Sequence, residues 1–366
     1  MCENCLDNET IERGFLRLYE SFTNEEYDES NCMSYSKIKN VHDNPEILTK
    51  ERTKSNKEWL IFGTIVDILL TEPEGTFNNK VIINDKVPSE QYINIVNYIL
   101  ENNLPLDIST LTDEQIEEVY TKSGSESNWK VDTKRKKLIE NASDYLTMLS
   151  TSKDKFIIST NTYNEALTIV NTFRTHPWTK RWFLSPEEQK KRNIELYYQF
   201  KIKYLFEGIK CQSKIDIIEI DHNIMTISLL DIKTGSDLPR EFIKNSLFKY
   251  GYGYQGVLYN EGFDEFITKI PAIQNYILGN FKFLYVSRLR PTYPVILSMD
   301  SKLHREILDM GIESGPYELL SLRELFEEAS FYIDQINAGK TNIEPYELQQ
   351  NKGVVIARST VSIIPY

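Results

Sequence analysis

Chemistry is most concentrated in Leu230-Asp231-Ile232-Lys233-Thr234-Gly235, together with Asp216 upstream of it. Side chains alternate along a strand, so Asp231 and Lys233 share a face while Ile232 points into the opposite layer. The runs Lys214 to Ile220 and Met225 to Lys233 are rich in strand-forming residues, and the turn-like Asp221-His222-Asn223 separates them. They predict an antiparallel hairpin. A two-residue loop at His222-Asn223 would set Asp216 opposite Leu229, leaving Asp231 as its diagonal neighbour at roughly 7 Å. Two carboxylates at that distance repel by roughly 2 kcal/mol at an effective dielectric near ~20. Lys233 or a divalent cation can offset that cost. Magnesium takes oxygen ligands and retains water and substrate phosphate oxygens, and at such a site it polarises phosphate and activates water. Manganese can substitute for it. The competing reading is a surface hairpin with a salt-bridged rim.

The elements around this pair must hold it in place. Thr234-Gly235 ends the strand, and a following helix carries Tyr254-Gln255-Gly256-Val257-Leu258-Tyr259. Gln255 and Tyr259 are i, i+4 on one helical face, so both can reach the site edge to bind phosphate or the attacking water. An ordinary amphipathic helix is the alternative. Ser34-Tyr35-Ser36 can cap a short helix, and Asn56 to Leu70 reads as a buried helix stopped by Pro73 and Gly75. Helical, highly charged text runs from about Ser89 to Ser150, with loops at Asn102 to Pro105 and Ser123 to Ser127, and reads as an inserted subdomain. A helix from about Tyr163 to Thr175, strands at Ile194–Tyr204, Phe281–Val286 and Tyr293–Ser298, and a helix at Leu322–Ala338 complete the series. The mixture indicates an α/β or α+β fold. The expected organisation is a polar leader at 1–32, a main domain at 33–338 with a helical insertion at about 86–150, and a tail at 339–366.

A chain of 366 residues, 40% hydrophobic and 26% charged, can bury a large core. Its net charge of -12 argues against a protein that coats nucleic acid nonspecifically, although a basic groove can sit on an acidic body. The polar, acidic opening has no signal-peptide pattern, and no apolar run approaches the ~20 residues of a membrane span, so a cytoplasmic protein without membrane contact is expected. Four scattered cysteines, Cys2, Cys5, Cys32 and Cys211, suit reduced thiols. The lone Cys2-x-x-Cys5 pair is a weak zinc signal. Lys134-Arg135-Lys136-Lys137 is the densest basic run, read as a solvated helix start or a DNA contact. His176 and His222 have no His, Cys or carboxylate partner at ligand spacing and read as structural or turn residues.

Gly208, Asp216, Leu230-Asp231-Ile232-Lys233-Thr234-Gly235, Tyr254-Gln255 and Tyr259 together resemble the G...D, (D/E)xKTG and QxxxY signature of RecB-type nucleases in the PD-(D/E)XK superfamily. Upstream, Ser34-Tyr35-Ser36-Lys37-Ile38, Asn44-Pro45 and Phe62 to Pro73 resemble the opening of the phage RecE-like, lambda-exonuclease-like branch. Ala166 to Pro177 and Phe281 to Pro294 sit where that branch has similar stretches. The likeness covers about Met33 to Ala338, outside the insertion. It implies a restriction-endonuclease-like mixed central sheet flanked by helices. The implied activity is magnesium-dependent DNA hydrolysis, often from duplex ends beside a single-strand-annealing partner, in a homo-oligomeric ring for a processive enzyme.

On that likeness, Asp216, Asp231 and the backbone carbonyl of Ile232 hold the metal, Lys233 orients or deprotonates the attacking water, and Gln255 and Tyr259 support the phosphate. The family's upstream helix offers histidine where this chain has Asp67, a hard oxygen donor that suits magnesium. Asp67 among Ile65, Val66, Ile68 and Leu69 needs a partner, either that metal or a structural Lys or Arg. Glu195 resembles an acidic residue that some members place before the hairpin, and also reads as a solvated strand start. Lys214, Arg240, Lys244 and Lys249 could line a phosphate track, as could Lys210. An endonuclease on the same core, or a DNA-binding scaffold that has lost catalysis, are the alternatives. The Tyr- and Asn-rich, Arg-poor composition fits an AT-rich phage or its host, which would place the protein in host cytoplasm.

Overall fold

A computed structural model describes residues 32–49, 58–86, 88–125, 127–152, 155–268, 270–314, 317–340 and 346. Cys2 and Cys5 lie outside them. The chain divides into two compact units, one formed by Met1–Thr53 with Thr172–Tyr366 and the other by Lys54–Asn171.

The first unit is built on a mixed sheet. Its strands are β1 (Ile194–Phe206), β2 (Ile209–Asp221), β3 (Thr226–Gly235), β4 (Lys282–Ser287) and β5 (Pro294–Ser298), hydrogen-bonded in that order. β1, β2 and β3 form an antiparallel meander, β4 lies parallel to β3, and β5 is antiparallel to β4. Ile277–Leu278 adds a short parallel piece at the start of β3. A two-residue turn of Glu207 (φ 47°) and Gly208 (φ 76°) joins β1 to β2, the left-handed pair that a tight hairpin requires and the reason for glycine there. The parallel step from β3 to β4 needs a long crossover, supplied by helices α1 (Pro239–Phe248) and α2 (Tyr252–Ile267). Helix α3 (Leu322–Asn337) begins with a capping box in which Ser321 and Glu324 satisfy each other's backbone N–H.

Helix α2 is buried along most of its length. It lies close on the sheet because it carries glycine where other backbones approach. A Cβ on Gly256 would come within 2.5 Å of Met299 Sδ and 3.1 Å of the Phe281 ring, and one on Gly262 would enter the Tyr204 ring. Phe200, Ile202, Ile215, Ile218, Leu229, Val257, Phe263 and Phe283 share this core.

The second unit is mostly helical. Helices Glu90–Glu101, Asp113–Lys122 and Val131–Thr151 bury Ile95, Ile99, Ile116, Val119, Leu138 and Leu146 against one another. It reaches further than the stretch 86–150 read from sequence. Helix Glu58–Thr71 and a two-stranded parallel pair, Val81–Ile83 with Phe156–Ile158, also belong to it. Three-residue strands carry too little alternation to be read from sequence. Among the described residues no helix is long and apolar enough to cross a membrane.

Candidate active site

The hairpin forms, but in another register. A four-residue turn, His222 to Met225, joins β2 to β3, with Met225 at φ 50°. Ile218, rather than Asp216, faces Leu229, and Ile217 faces Leu230. Continuing the ladder by one pair sets Asp216 directly across from Asp231. The displacement is two residues, and an even slip keeps the side chains paired from Ile217 to Asp221 on their expected faces.

At Asp216 the sheet changes phase. Cys211 and Ile215 before it, and Ile218 and Ile220 after it, all join the same core, so the alternation shifts by one residue. The neighbouring strand absorbs the shift at Gln199, which falls between the pairs Tyr198–Ile217 and Phe200–Ile215 and adopts φ 54°. A left-handed non-glycine residue in a strand is costly, and such costs gather at functional sites. Here the irregularity turns two side chains inward. Gln199 Nε2 donates to Asp216 Oδ1 at 3.1 Å, while the Ile232 backbone N–H donates to Asp216 Oδ2 at 2.8 Å. Asp216 thus takes the place of a ladder acceptor and locks β2 to the strand bearing Asp231 and Lys233.

Asp231 is 3% exposed. Gln255 Nε2 on α2 donates to its Oδ1 at 2.5 Å, and the Lys233 ammonium contacts its Oδ2. Beyond that ion pair, Asp231 Oδ2 accepts no hydrogen bond among the described residues, nor does the Gln255 amide oxygen. One oxygen acceptor, that of the Gln255 amide, is therefore left in a buried, polar corner, where an unmet acceptor costs about 1–3 kcal/mol. Burial pushes the Asp231 carboxyl up to about 7, and the charge of Asp216 adds to that while Lys233 opposes it. For Lys233 burial works against the charge, but Asp231, Tyr252 and Asp216 hold the ammonium well above the ordinary lysine range. Its Nζ sits 4.8 Å from the centre of the Tyr252 ring, a cation–π contact. Tyr259, one turn along α2 from Gln255, is buried, and burial followed by the charge of Asp231 raises its hydroxyl. Gln255 and Tyr259 stand where the helical spacing predicts.

Three neighbours stand outside the residues that the sequence assigns to the site. Gln199 is one polar residue in a strand. Tyr35 and Lys39 belong to the short helix Tyr35–Ile38 and its cap, and their burial is accompanied by the influence of Lys233 on both. Burial and then the Lys233 charge lower the Lys39 ammonium, which donates to the Tyr250 carbonyl at 3.1 Å. Only the fold brings these to Lys233.

Other expected residues stand elsewhere. Glu195 pairs across from Ile220, four residues before Gln199, which is roughly 13 Å along the strand. Its carboxylate instead meets His222 Nε2 at 3.0 Å and accepts from the Tyr197 hydroxyl at 2.5 Å. His222, expected to lack a carboxylate partner, therefore has one, and its Nδ1 meets the Tyr276 hydroxyl at 2.8 Å. Spacing could not show this because the partner comes from the adjacent strand. Asp67 is half-buried on helix Glu58–Thr71 in the second unit. Lys214 lies across from Lys201. Arg240 and Lys244 are exposed one turn apart on α1, and exposed Lys249 follows that helix with its Nζ 5.4 Å from the Tyr250 ring centre.

The donors at the corner are hard oxygens: two carboxylates and an amide carbonyl. Among the described residues no group of three or more His, Cys, Asp or Glu side chains gathers to hold a metal. The two carboxylates and the orphaned Gln255 oxygen nonetheless suit a small divalent cation, whose charge would offset the burial of Asp231.

No family model matches the chain, and no curated protein matches it. Similarity to a solved structure is found with a crystal structure from Eubacterium rectale described as a "putative exonuclease", at 14% identity and a TM-score of 0.45. It covers 92% of this chain and 95% of that one. A likeness of that degree does not by itself define a shared fold, and the mixed sheet described above stands on this chain's own strand pairing.

Proposed function

We propose that this chain is a metal-dependent deoxyribonuclease of the PD-(D/E)XK type, acting on duplex ends. The observation that carries the reading is the convergence of Asp216, Asp231, Lys233 and Gln255, with the buried Gln255 amide oxygen left over. Asp216 and Asp231 would hold magnesium, with the Ile232 carbonyl as a further candidate ligand and manganese as a substitute. When bound, magnesium would supply Lewis-acid polarisation of a phosphate oxygen and ease the deprotonation of water.

The chain's own groups do the rest. Gln255 fixes the orientation of Asp231, and the backbone of Ile232 together with Gln199 fixes Asp216. Lys233 presents a positive charge, held in a low-dielectric corner by Asp231 and the Tyr252 ring, to the charge that develops on the phosphate oxygens. Gln255 and Tyr259 border the phosphate position. Arg240, Lys244 and Lys249 would follow the DNA backbone. A single-strand-annealing partner, a ring-shaped oligomer, a role in recombination or repair and a cytoplasmic setting belong to the same reading.

The test compares end-labelled linear duplex with closed circular duplex, in magnesium and in EDTA, for the wild type and for Lys233→Ala. Loss of label from linear DNA alone, dependent on magnesium and abolished by the substitution, supports an exonuclease. Cutting of the circle would replace it with an endonuclease on the same core. Binding without scission in magnesium or manganese would sink the enzyme reading in favour of a DNA-binding scaffold.

A further inference from the structure

We infer that the turn joining β4 to β5 binds unpaired nucleotides at the end of a DNA substrate. The inference rests on the nuclease reading for the identity of the substrate, and its placement rests on the sheet register. Lys233 pairs with Tyr285 and Gly235 with Ser287, and Arg288 N–H donates to the Gly235 carbonyl at 2.8 Å. The turn therefore begins where the strand bearing Lys233 ends. A nucleic acid strand lying at Lys233 would pass this tip.

The turn is built rather than loose. Leu289 N–H donates to Ser287 Oγ at 3.2 Å, Arg290 N–H to the Ser287 carbonyl at 3.0 Å, and Tyr293 N–H to the Arg290 carbonyl at 3.2 Å. The Thr172 hydroxyl donates to the Pro291 carbonyl at 2.6 Å and pins the tip from below. This fixed backbone holds two large apolar side chains out in water, Leu289 at 66% and Tyr293 at 64% exposure. Single exposed apolar residues are ordinary, but two on one anchored tip beside two arginines call for a ligand.

The surrounding charge selects the ligand. The stretch from Ile270 to Met299 contains no Asp or Glu and carries Lys282, Arg288 and Arg290, in a chain of net charge -12. An aromatic ring, an apolar neighbour and two guanidinium groups suit a polyanion with exposed flat faces. Bases stack on aromatic rings without regard to sequence, while arginines take the phosphates. Paired bases hide those faces, so single-stranded ends fit better than blunt duplex.

The experiment measures fluorescence anisotropy of two labelled DNAs, a blunt duplex and the same duplex with a single-stranded tail. The protein is the full chain in EDTA, so that nothing is cut. The wild type should prefer the tailed DNA. Tyr293→Ala combined with Leu289→Ser should weaken tailed binding by about tenfold and blunt binding by less than about twofold. Tyr293→Phe should keep the preference because the ring remains. Unchanged thermal melting confirms that these exposed substitutions leave the fold intact. The inference fails if the double variant keeps tailed affinity, if both DNAs weaken alike, if Tyr293→Phe behaves as Tyr293→Ala, or if the wild type binds neither DNA. Failure of the nuclease reading looks different. A wild type that never cleaves in magnesium but retains a Tyr293-dependent preference for tails would overturn that reading and leave this one standing.

Discussion

Two lysines in this protein, buried Lys134 and half-buried Lys233, sit in closely similar surroundings. Lys233 contacts Asp231 and lies over the Tyr252 ring, and Lys134 contacts Glu117 at 2.5 Å and lies over the Tyr120 ring. Both are ammonium–carboxylate pairs against a tyrosine face. They differ in what surrounds the carboxylate. Glu117 remains 45% exposed, so water meets its remaining needs, whereas Asp231 is 4% exposed at its side chain and faces a second carboxylate and an amide with an idle oxygen. A buried ion pair alone is weak evidence of chemistry. A second carboxylate and a surplus buried acceptor beside it separate a site from a strut.

The comparison breaks most sharply in activity. Lys233→Ala should lower the rate of DNA hydrolysis by about 10²–10³-fold, the usual loss when one stabilising donor is removed from a transition state. Lys134→Ala should leave the rate per folded molecule unchanged. Equal losses in a steady-state assay corrected for folded fraction would erase the distinction.

Stability should reverse the order. Lys134→Ala leaves Tyr120 and its neighbours around a vacated buried site, and with Glu117 half in water the expected cost is about 1–3 kcal/mol in urea unfolding. A cost near zero would mean that this pair is no strut.

A third prediction uses pH. The Asp231 carboxyl is raised to about 7 from an unfolded value near ~3.9, so the folded state resists its ionisation. Without added metal, that contribution to stability is complete below about pH 4 and is lost as pH rises towards 7. Asp231→Asn should flatten this slope relative to the wild type, and magnesium should raise the melting temperature of the wild type above pH 7 but not that of Asp231→Asn. An identical pH slope in both proteins would remove Asp231 as its source. The smallest effect concerns placement: Gly256→Ala must displace Met299 or shift α2 and should cost about 1–3 kcal/mol, with a fall in rate from the moved Gln255. A rate unchanged by that substitution would mean that Gln255 does not set the geometry of Asp231.

Much of the site was legible because it lies on regular elements. Asp231 and Lys233 share a face by strand alternation, and Gln255 and Tyr259 share one by helical spacing. The register was misread because His222-Asn223 looks like a whole turn, while the chain uses Ile224 and Met225 as well, with Met225 in a left-handed conformation that no side-chain chemistry announces. The basic run at Lys134 shows the same limit. Lys134 is 5% exposed and bonded to Glu117, and Arg135 bonds to Asp113 at 2.6 Å, so two charges of the run are spent within the unit while Lys136 stays solvated as read. Charge density is a local property, and the partner that consumes it comes from another helix.

The sequence by itself determined which side chains could share a face, where strands and helices run, and that two carboxylates and a lysine would meet at a hairpin. Those outcomes follow from periodicities of two and 3.6 residues, which act over short stretches. Only the tertiary structure decided that Asp216 bonds the Ile232 backbone beside Asp231, that Gln199 breaks its strand to hold it, that Glu195 turns away to His222, and that Tyr35 and Lys39 come under the influence of Lys233. Each of these depends on strand pairing or packing between residues distant in the chain, where the cost of a strained backbone or a buried charge is set by neighbours that no local pattern names.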